Sequence, residues 1–134
     1  MADEPPKISE AEWDVMNVVW DESPRSALDV AKALEPTRGW NHRTVKTLIN
    51  RLVKKAVLGF QVEGPRYLYF PQVSREECVR AESRSFLRRV APDSVSPLLA
   101  HFMRESDLSP GEIDELRQLL DEKRRAAKDQ EGDA

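Results

Sequence analysis

Cysteine is nearly absent from these 134 residues. Cys78 stands alone, which excludes an internal disulfide framework and a cysteine-rich zinc site. Histidine is as scarce: His42 and His101 are too isolated to argue for a metal centre, so neither metal nor cofactor is expected. No apolar run approaches the roughly 18 residues of a membrane span, so bilayer insertion is not expected. The opening Met-Ala-Asp-Glu-Pro-Pro lacks the basic and apolar parts of a secretory signal, and a cytoplasmic location is expected. Ser/His/Asp and Cys/His constellations, phosphate loops, supported carboxylate pairs and internal repeats are all missing, so the chain reads as non-enzymatic. Charge is what the chain has in quantity, with 34% of residues charged and 40% apolar. Nine prolines cut it into short elements, and its length supports one domain plus a modest appendage.

The net charge of -3 conceals a strong asymmetry. Residues 1–36 hold 3 basic and 9 acidic residues, net -6, whereas residues 37–70 hold 7 basic and 1 acidic, net +6. Residues 71–134 hold 11 basic and 14 acidic, net -3. A local basic footprint, not the overall balance, decides whether phosphates are attracted.

The basic block contains the most informative stretch, Asn41 to Lys55. Val45, Leu48, Ile49 and Leu52 recur at helical spacing and form an apolar face. Arg43, Lys46, Thr47, Asn50 and Lys54 occupy another face that carries no acid. Arg and Lys pair with guanine, Asn with adenine, and Thr with a base edge or a thymine methyl, so this face suits the major groove. The plain alternative is a solvated basic face. Asn41 is a good N-cap for this helix.

The flanking segments favour the groove reading. A Ser9/Glu12 capping box opens a first helix carrying Trp13, Met16, Val19 and Trp20, which ends at Asp21-Glu-Ser-Pro24. Ser26 caps a second helix with Ala27, Val30, Ala31 and Leu34 on one side, and Pro36 to Trp40 reads as the turn. Three short helices with a Gly-containing connection before the basic one match a helix-turn-helix. The β-rich runs Val57 to Glu63 and Arg66 to Phe70 flank Gly64-Pro65 and read as a hairpin wing, with Arg66 and Tyr67 near its tip. Ser74/Glu77 and Ser109/Glu112 are further capping boxes, and Ser96-Pro97 starts another helix. The helices they open carry Val79, Ser83, Phe86, Leu87 and Val90, then Leu98, Leu99, Phe102 and Met103, then Ile113, Leu116, Leu119 and Leu120. Such short amphipathic helices cannot easily bury their stripes alone. A second copy is the expected partner, and packing on their own winged domain is the alternative. The fold class is therefore mainly α with a small β wing: a winged helix-turn-helix domain over residues 7–72, a helical dimerisation domain over 73–127, and an unstructured tail over 128–134.

Several runs resemble the BlaI/MecI penicillinase-repressor family. Ile8 to Trp20 resembles its opening helix, Arg43 to Lys55 its recognition helix, Tyr67 to Phe70 its wing, and Ile113 to Leu120 its last dimerisation helix. The resemblance spans residues 7–124. It implies a homodimeric winged-helix repressor that binds inverted repeats containing TACA/TGTA in promoters of β-lactamase or related genes. It also implies release by a membrane-bound sensor protease that triggers cleavage in the dimerisation region. The family's cleaved bond joins Asn to Phe; the pair at that place here is His101-Phe102. The paired C-terminal cysteines of copper-responsive relatives are missing.

Combining both lines, direct base readout is assigned to Arg43, Lys46 and Thr47, in the part of the helix that usually reaches base edges. Phosphate contact is assigned to Asn41, His42, Asn50, Arg51, Lys54, Arg66 and Tyr67. The dimer interface is assigned to Phe86, Leu87, Leu98, Leu99, Phe102, Met103, Ile113, Leu116, Leu119 and Leu120. Trp13 and Trp20 are expected in the core, and Cys78 is read as an inert side chain near the hinge. Two other readings stay open: a ligand-sensing winged-helix regulator, and a winged-helix protein-protein adaptor that does not bind DNA.

Overall fold

The structure, a computed structural model, describes residues 4–132. Its described elements run α1 (Glu10–Asp21), α2 (Ala27–Arg38), α3 (His42–Lys54), β1 (Leu58–Glu63), β2 (Arg66–Pro71), α4 (Arg75–Val90), α5 (Ser96–Glu105) and α6 (Pro110–Gly132). The chain divides into two compact units, one running to Arg89 and the second beginning at Val90.

In the first unit, each short helix is started by a side chain that satisfies its open amides. Ser9 and Glu12 cap each other's backbone at α1, and Ser26 and Asp29 do so at α2. Asn41 accepts from the Thr44 amide at α3 (2.9 Å). α1 buries Val15, Met16 and Val19, α2 buries Ala27, Val30, Ala31 and Leu34, and α3 buries Val45, Leu48, Ile49 and Leu52. Full burial of each larger aliphatic side chain contributes roughly 1.5–3 kcal/mol, so these stripes dictate how the helices pack. Trp13, Trp20 and Trp40 lie partly buried against this core.

α2 outruns the expected turn. Pro36 lies inside its last turn, and the helix continues to Arg38 before Gly39, at φ 62°, ends it. A proline removes only one ladder donor near a helix end, and the left-handed Gly39 supplies the real stop. α3 ends in the same manner without a glycine. Ala56 adopts φ 63°, its amide donates to the Val53 carbonyl, and the Val57 amide donates to that of Leu52. Val57 is fully buried there and fixes the angle at which the chain enters the wing.

β1 and β2 pair antiparallel, from Leu58 opposite Pro71 to Glu63 opposite Arg66. Gly64 at φ 61° takes the first central position of the turn, and Pro65, which cannot adopt positive φ, takes the second. The Phe70 ring lies over its cross-strand partner Gly59, where a Cβ would stand 2.7 Å from it. Two backbone hydrogen bonds between Arg25 and Tyr69 (3.0 and 2.7 Å) tie the base of the wing to the segment before α2.

α4 begins against this unit, which moves the division beyond the 72/73 boundary read from the sequence. The Trp20 indole donates to the Val73 carbonyl (3.0 Å), Arg75 pairs with Asp21 (3.0 Å) and stacks on Trp20, and Arg84 pairs with Glu4 (3.1 Å). Cys78 joins the core at 3% exposure. Burial pushes its thiol up, and Glu77 adds to the shift.

The second unit holds α5 and α6, and among the described residues neither contributes a buried one. Leu99, Phe102, Met103, Ile113, Leu119 and Leu120 are between 41% and 57% exposed. Met103, Leu108, Ile113, Leu116 and Leu120, with Arg117, line a largely apolar hollow. α6 carries on to Gly132, so the tail expected to be unstructured is helical as far as the described residues reach. Ala126, Ala127 and Lys128 are strong helix formers that extend a helix already nucleated upstream. Asp133 and Ala134 lie outside the described residues.

Candidate nucleic-acid interface

The buried stripe of α3 turns its opposite face outward. Arg43, Thr47, Asn50, Arg51 and Lys54 are exposed there, and Lys46 is half-buried. α3 has no acid in its first turn, so nothing offsets the positive end of its dipole at Asn41 and His42. Both residues are exposed, although Asn41 has its side-chain oxygen committed to the Thr44 amide. Thr47 is committed too: its hydroxyl donates to the Arg43 carbonyl (3.0 Å). As a base reader it therefore offers a methyl group and an acceptor lone pair, not a donor.

The wing completes the surface. His42 and Lys46 from α3, Pro65, Arg66 and Tyr67 from the wing, and Asp29 and Lys32 from α2 line one shallow hollow. The Lys46 ammonium lies 5.7 Å from the centre of the Tyr67 ring. Lys32 belongs to the acidic N-terminal third of the sequence, and only the α2–α3 crossing brings it to this surface. The Asp29 carboxyl is held below the usual carboxylate range, first by the Ser26 backbone amide and hydroxyl, and further by Arg66 and Arg25.

Two of the seven basic residues of the 37–70 block are engaged elsewhere. Arg38 pairs with Asp14 (2.7 Å) and stacks on Trp40. Lys55 pairs with Glu12 (2.6 Å) and donates to the Lys7 carbonyl (2.9 Å). Glu12 is 1% exposed, and its Oε2 has no hydrogen-bond partner among the described residues. Burial alone would raise its carboxyl; hydrogen bonds from Lys55 and Ser9 outweigh that and hold it below its ordinary value. Arg43, Lys46, Arg51, Lys54 and Arg66 form no ion pair among the described residues. The uncompensated charge is thus concentrated on the outer face of α3 and the wing. The candidate interface residues read from the sequence all lie on these two elements or the α3 N-cap; Lys32 is the one the sequence reading missed.

Among the described residues, no helix is long and apolar enough to cross a membrane. The assigned dimer residues split between units: Phe86 and Leu87 are half-buried on α4, and the rest lie on α5 and α6. His101 is exposed and its ring contacts that of Phe102 at 6.5 Å.

Comparison with known proteins gives these features a family. The family described as "Penicillinase repressor" matches residues 8–122. The penicillinase repressor of Bacillus licheniformis is 34% identical over 124 residues, covering 92% of this chain and 97% of its own. The methicillin resistance regulatory protein MecI of Mammaliicoccus sciuri is 32% identical over 117 residues, covering 87% and 95%. The solution structure of the DNA-binding domain of the repressor BlaI superposes with a TM-score of 0.50 at 35% identity, covering 57% of this chain and 93% of that domain. A match over this span, on a fold whose basic helix and wing share one surface, places the chain in the penicillinase-repressor family of winged-helix, DNA-binding transcriptional regulators, which are not enzymes.

Proposed function

We propose that this chain is a homodimeric cytoplasmic repressor that binds an inverted DNA repeat. One α3 enters the major groove of each half-site, and the wing meets the adjacent backbone. The observation that carries this reading is the acid-free outer face of α3, flanked by Arg66 and Tyr67 and free of ion pairs among the described residues. Arg43, Lys46 and Thr47 read base edges, the last through its methyl and lone pair. Asn41, His42, Asn50, Arg51, Lys54, Arg66 and Tyr67 meet phosphates and sugars, which fix register without selecting sequence. The exposed apolar side chains of α5 and α6, with Phe86 and Leu87, supply the dimer contact, and the two-fold axis of the pair matches that of the operator. The relatives' names support a place in β-lactam-resistance control, and family resemblance supports TACA/TGTA half-sites.

Binding isotherms on such a repeat and on a scrambled duplex test the reading. Arg43→Ala and Lys46→Ala should each cost roughly 1–3 kcal/mol on the repeat if the lost contact is to a base. Equal losses on both duplexes would make the residue a phosphate contact. No loss on either would remove it from the interface. Release through cleavage at His101-Phe102 is the corresponding proposal for induction, with a membrane-bound sensor protease as partner.

A further inference from the structure

Lys46 differs from the rest of its stripe. Arg43, Thr47, Asn50 and Lys54 are exposed, whereas Lys46 is half-buried because its ammonium lies over the Tyr67 ring, 5.7 Å from the centroid. Tyr67 is itself supported. Its ring packs on Phe60 at 5.2 Å, and Phe60 lies 6.4 Å from Tyr69, its partner across the strands. Tyr69 is 3% exposed, and its backbone is bonded in both directions to Arg25. A line of contacts therefore runs from the ammonium on α3, through three aromatic rings of the wing, into the core.

We infer that Tyr67 is a positioning residue: it clasps Lys46 and couples the recognition helix to the wing before DNA arrives. A free lysine must give up the rotamer freedom of a four-carbon stem when it binds. A lysine already resting on an aromatic face has lost part of that freedom in the unbound protein, so less is lost on binding. The ammonium has three N–H donors and the ring occupies one side of it, so the others remain directed outward. The clasp also fixes the spacing between α3 and the wing tip, which a duplex reads as the spacing between a major groove and its flanking backbone. Without this contact the base of the wing would still be held by Val57 and the Arg25–Tyr69 hydrogen bonds, but nothing would tie its tip to α3. The use of the clasp rests on the DNA-binding reading above; the clasp itself belongs to the free protein.

The test uses the full chain. In side-chain NMR of the unbound protein, the Lys46 ε-methylene protons should be shifted upfield by the ring current. Tyr67→Leu should abolish the shift and Tyr67→Phe should keep it. On a duplex with inverted TACA/TGTA half-sites, Tyr67→Leu should weaken binding about two- to fivefold, the range of an exposed cation–π contact. Tyr67→Phe should keep the clasp and so bind more tightly than Tyr67→Leu, losing only what the hydroxyl gives the DNA backbone, because the ring face and not the hydroxyl holds the cation. Adding Tyr67→Leu to Lys46→Gln should cost less than Tyr67→Leu costs in the parent, since the clasp is already gone and only the contact of Tyr67 with the DNA backbone is left to lose. Thermal melting separates a folding defect: Tyr67 is 47% exposed, so Tyr67→Leu should lower the melting temperature by only a few degrees, the loss of the clasp and the Phe60 contact, and stay fully folded at the binding temperature. An unshifted ε-methylene in the parent, or losses that multiply independently in the double variant, would overturn the clasp. A parent that shows the shift yet binds neither operator nor scrambled DNA would overturn the DNA-binding reading and leave the clasp standing.

Discussion

The two charge classes within the basic block make a sharp prediction about salt. Of its seven cations, Arg38 and Lys55 already pair with Asp14 and Glu12 of α1. Arg43, Lys46, Arg51, Lys54 and Arg66 are left, and Lys32 joins them from α2. Six available cations, each neutralising one phosphate, set a limit near -5.4 per protomer in log K against log salt, or about -11 for a dimer on a full site, at about -0.9 per phosphate. Lys54→Gln should flatten the dimer slope by about 1.8, one phosphate on each half-site. Lys55→Gln, its immediate neighbour, should leave the slope unchanged. It should instead lower stability, because it strands the Glu12 carboxylate, which is 1% exposed. Breaking a buried pair costs about 3–5 kcal/mol; the Lys55 side chain is 34% exposed, and solvent screening brings the expectation to about 1–3 kcal/mol. Fluorescence anisotropy with a labelled operator at stepped salt concentrations gives the slopes, and urea unfolding gives the stability. A slope change from Lys55→Gln comparable to that from Lys54→Gln would refute the division of charge. A flat dependence in the parent would refute phosphate binding altogether.

Three further outcomes follow from the same structure. Because the folded Glu12 carboxyl titrates below its unfolded value, its contribution is fully present above the ordinary carboxylate range and lost as pH falls through the folded value; urea midpoints should therefore decline on acidification, and Glu12→Gln should decline less steeply. Leu116→Asp with Leu120→Asp should sediment as a monomer, since a dimer would have to bury unpaired carboxylates; an unchanged dimer would move the interface off α6. Induced cells should yield repressor cut at His101-Phe102 by mass spectrometry, and intact chain throughout derepression would point to release by a ligand.

The fold was legible wherever the signal is local. Val45, Leu48, Ile49 and Leu52 point inward because a 3.6-residue period leaves them no other common face. The serine boxes at α1 and α6 and the Gly64-Pro65 hairpin are likewise contained within a few residues. Contacts across long separations were hidden. Glu12 and Lys55 are 43 residues apart, and nothing local marks Glu12 as buried, since its place in the capping box explains it fully. The sequence marks Lys46 as one of three base readers with Arg43 and Thr47; its contact with Tyr67 depends on how the wing folds back. Thr47 had a visible signal, a hydroxyl four residues after Arg43 in a helix, where back-bonding to the carbonyl is common. Pro36 marks a break that a helix already under way tolerates near its end, and the last turns of α6 follow from Ala126, Ala127 and Lys128 extending a helix nucleated upstream rather than from the polar composition of the tail.

The division after Arg89 also bears on how such a repressor would let go. α4 begins on the winged core through Cys78, Trp20 and Arg75, so a cut beyond it leaves the DNA-reading surface intact. α5 is 10 residues long, and cleavage at His101-Phe102 would leave pieces far below the roughly 12 residues at which an isolated helix becomes even marginal. α6, with Leu116, Leu119 and Leu120, would then be severed from the winged unit. Each half-site contact would survive chemically and lose only its tether to the other. Under bivalent binding the second contact forms at the effective concentration set by that tether, commonly in the millimolar range. The cations of each protomer give salt-dependent attraction to any duplex, and base readout on one half-site discriminates less than on two tethered ones, so the untethered units would disperse over non-specific DNA. Under the proposed dimeric reading, dimerisation and specificity would be coupled in this chain, and the second unit, whose apolar side chains stay exposed, would be where that coupling is broken without unfolding the first.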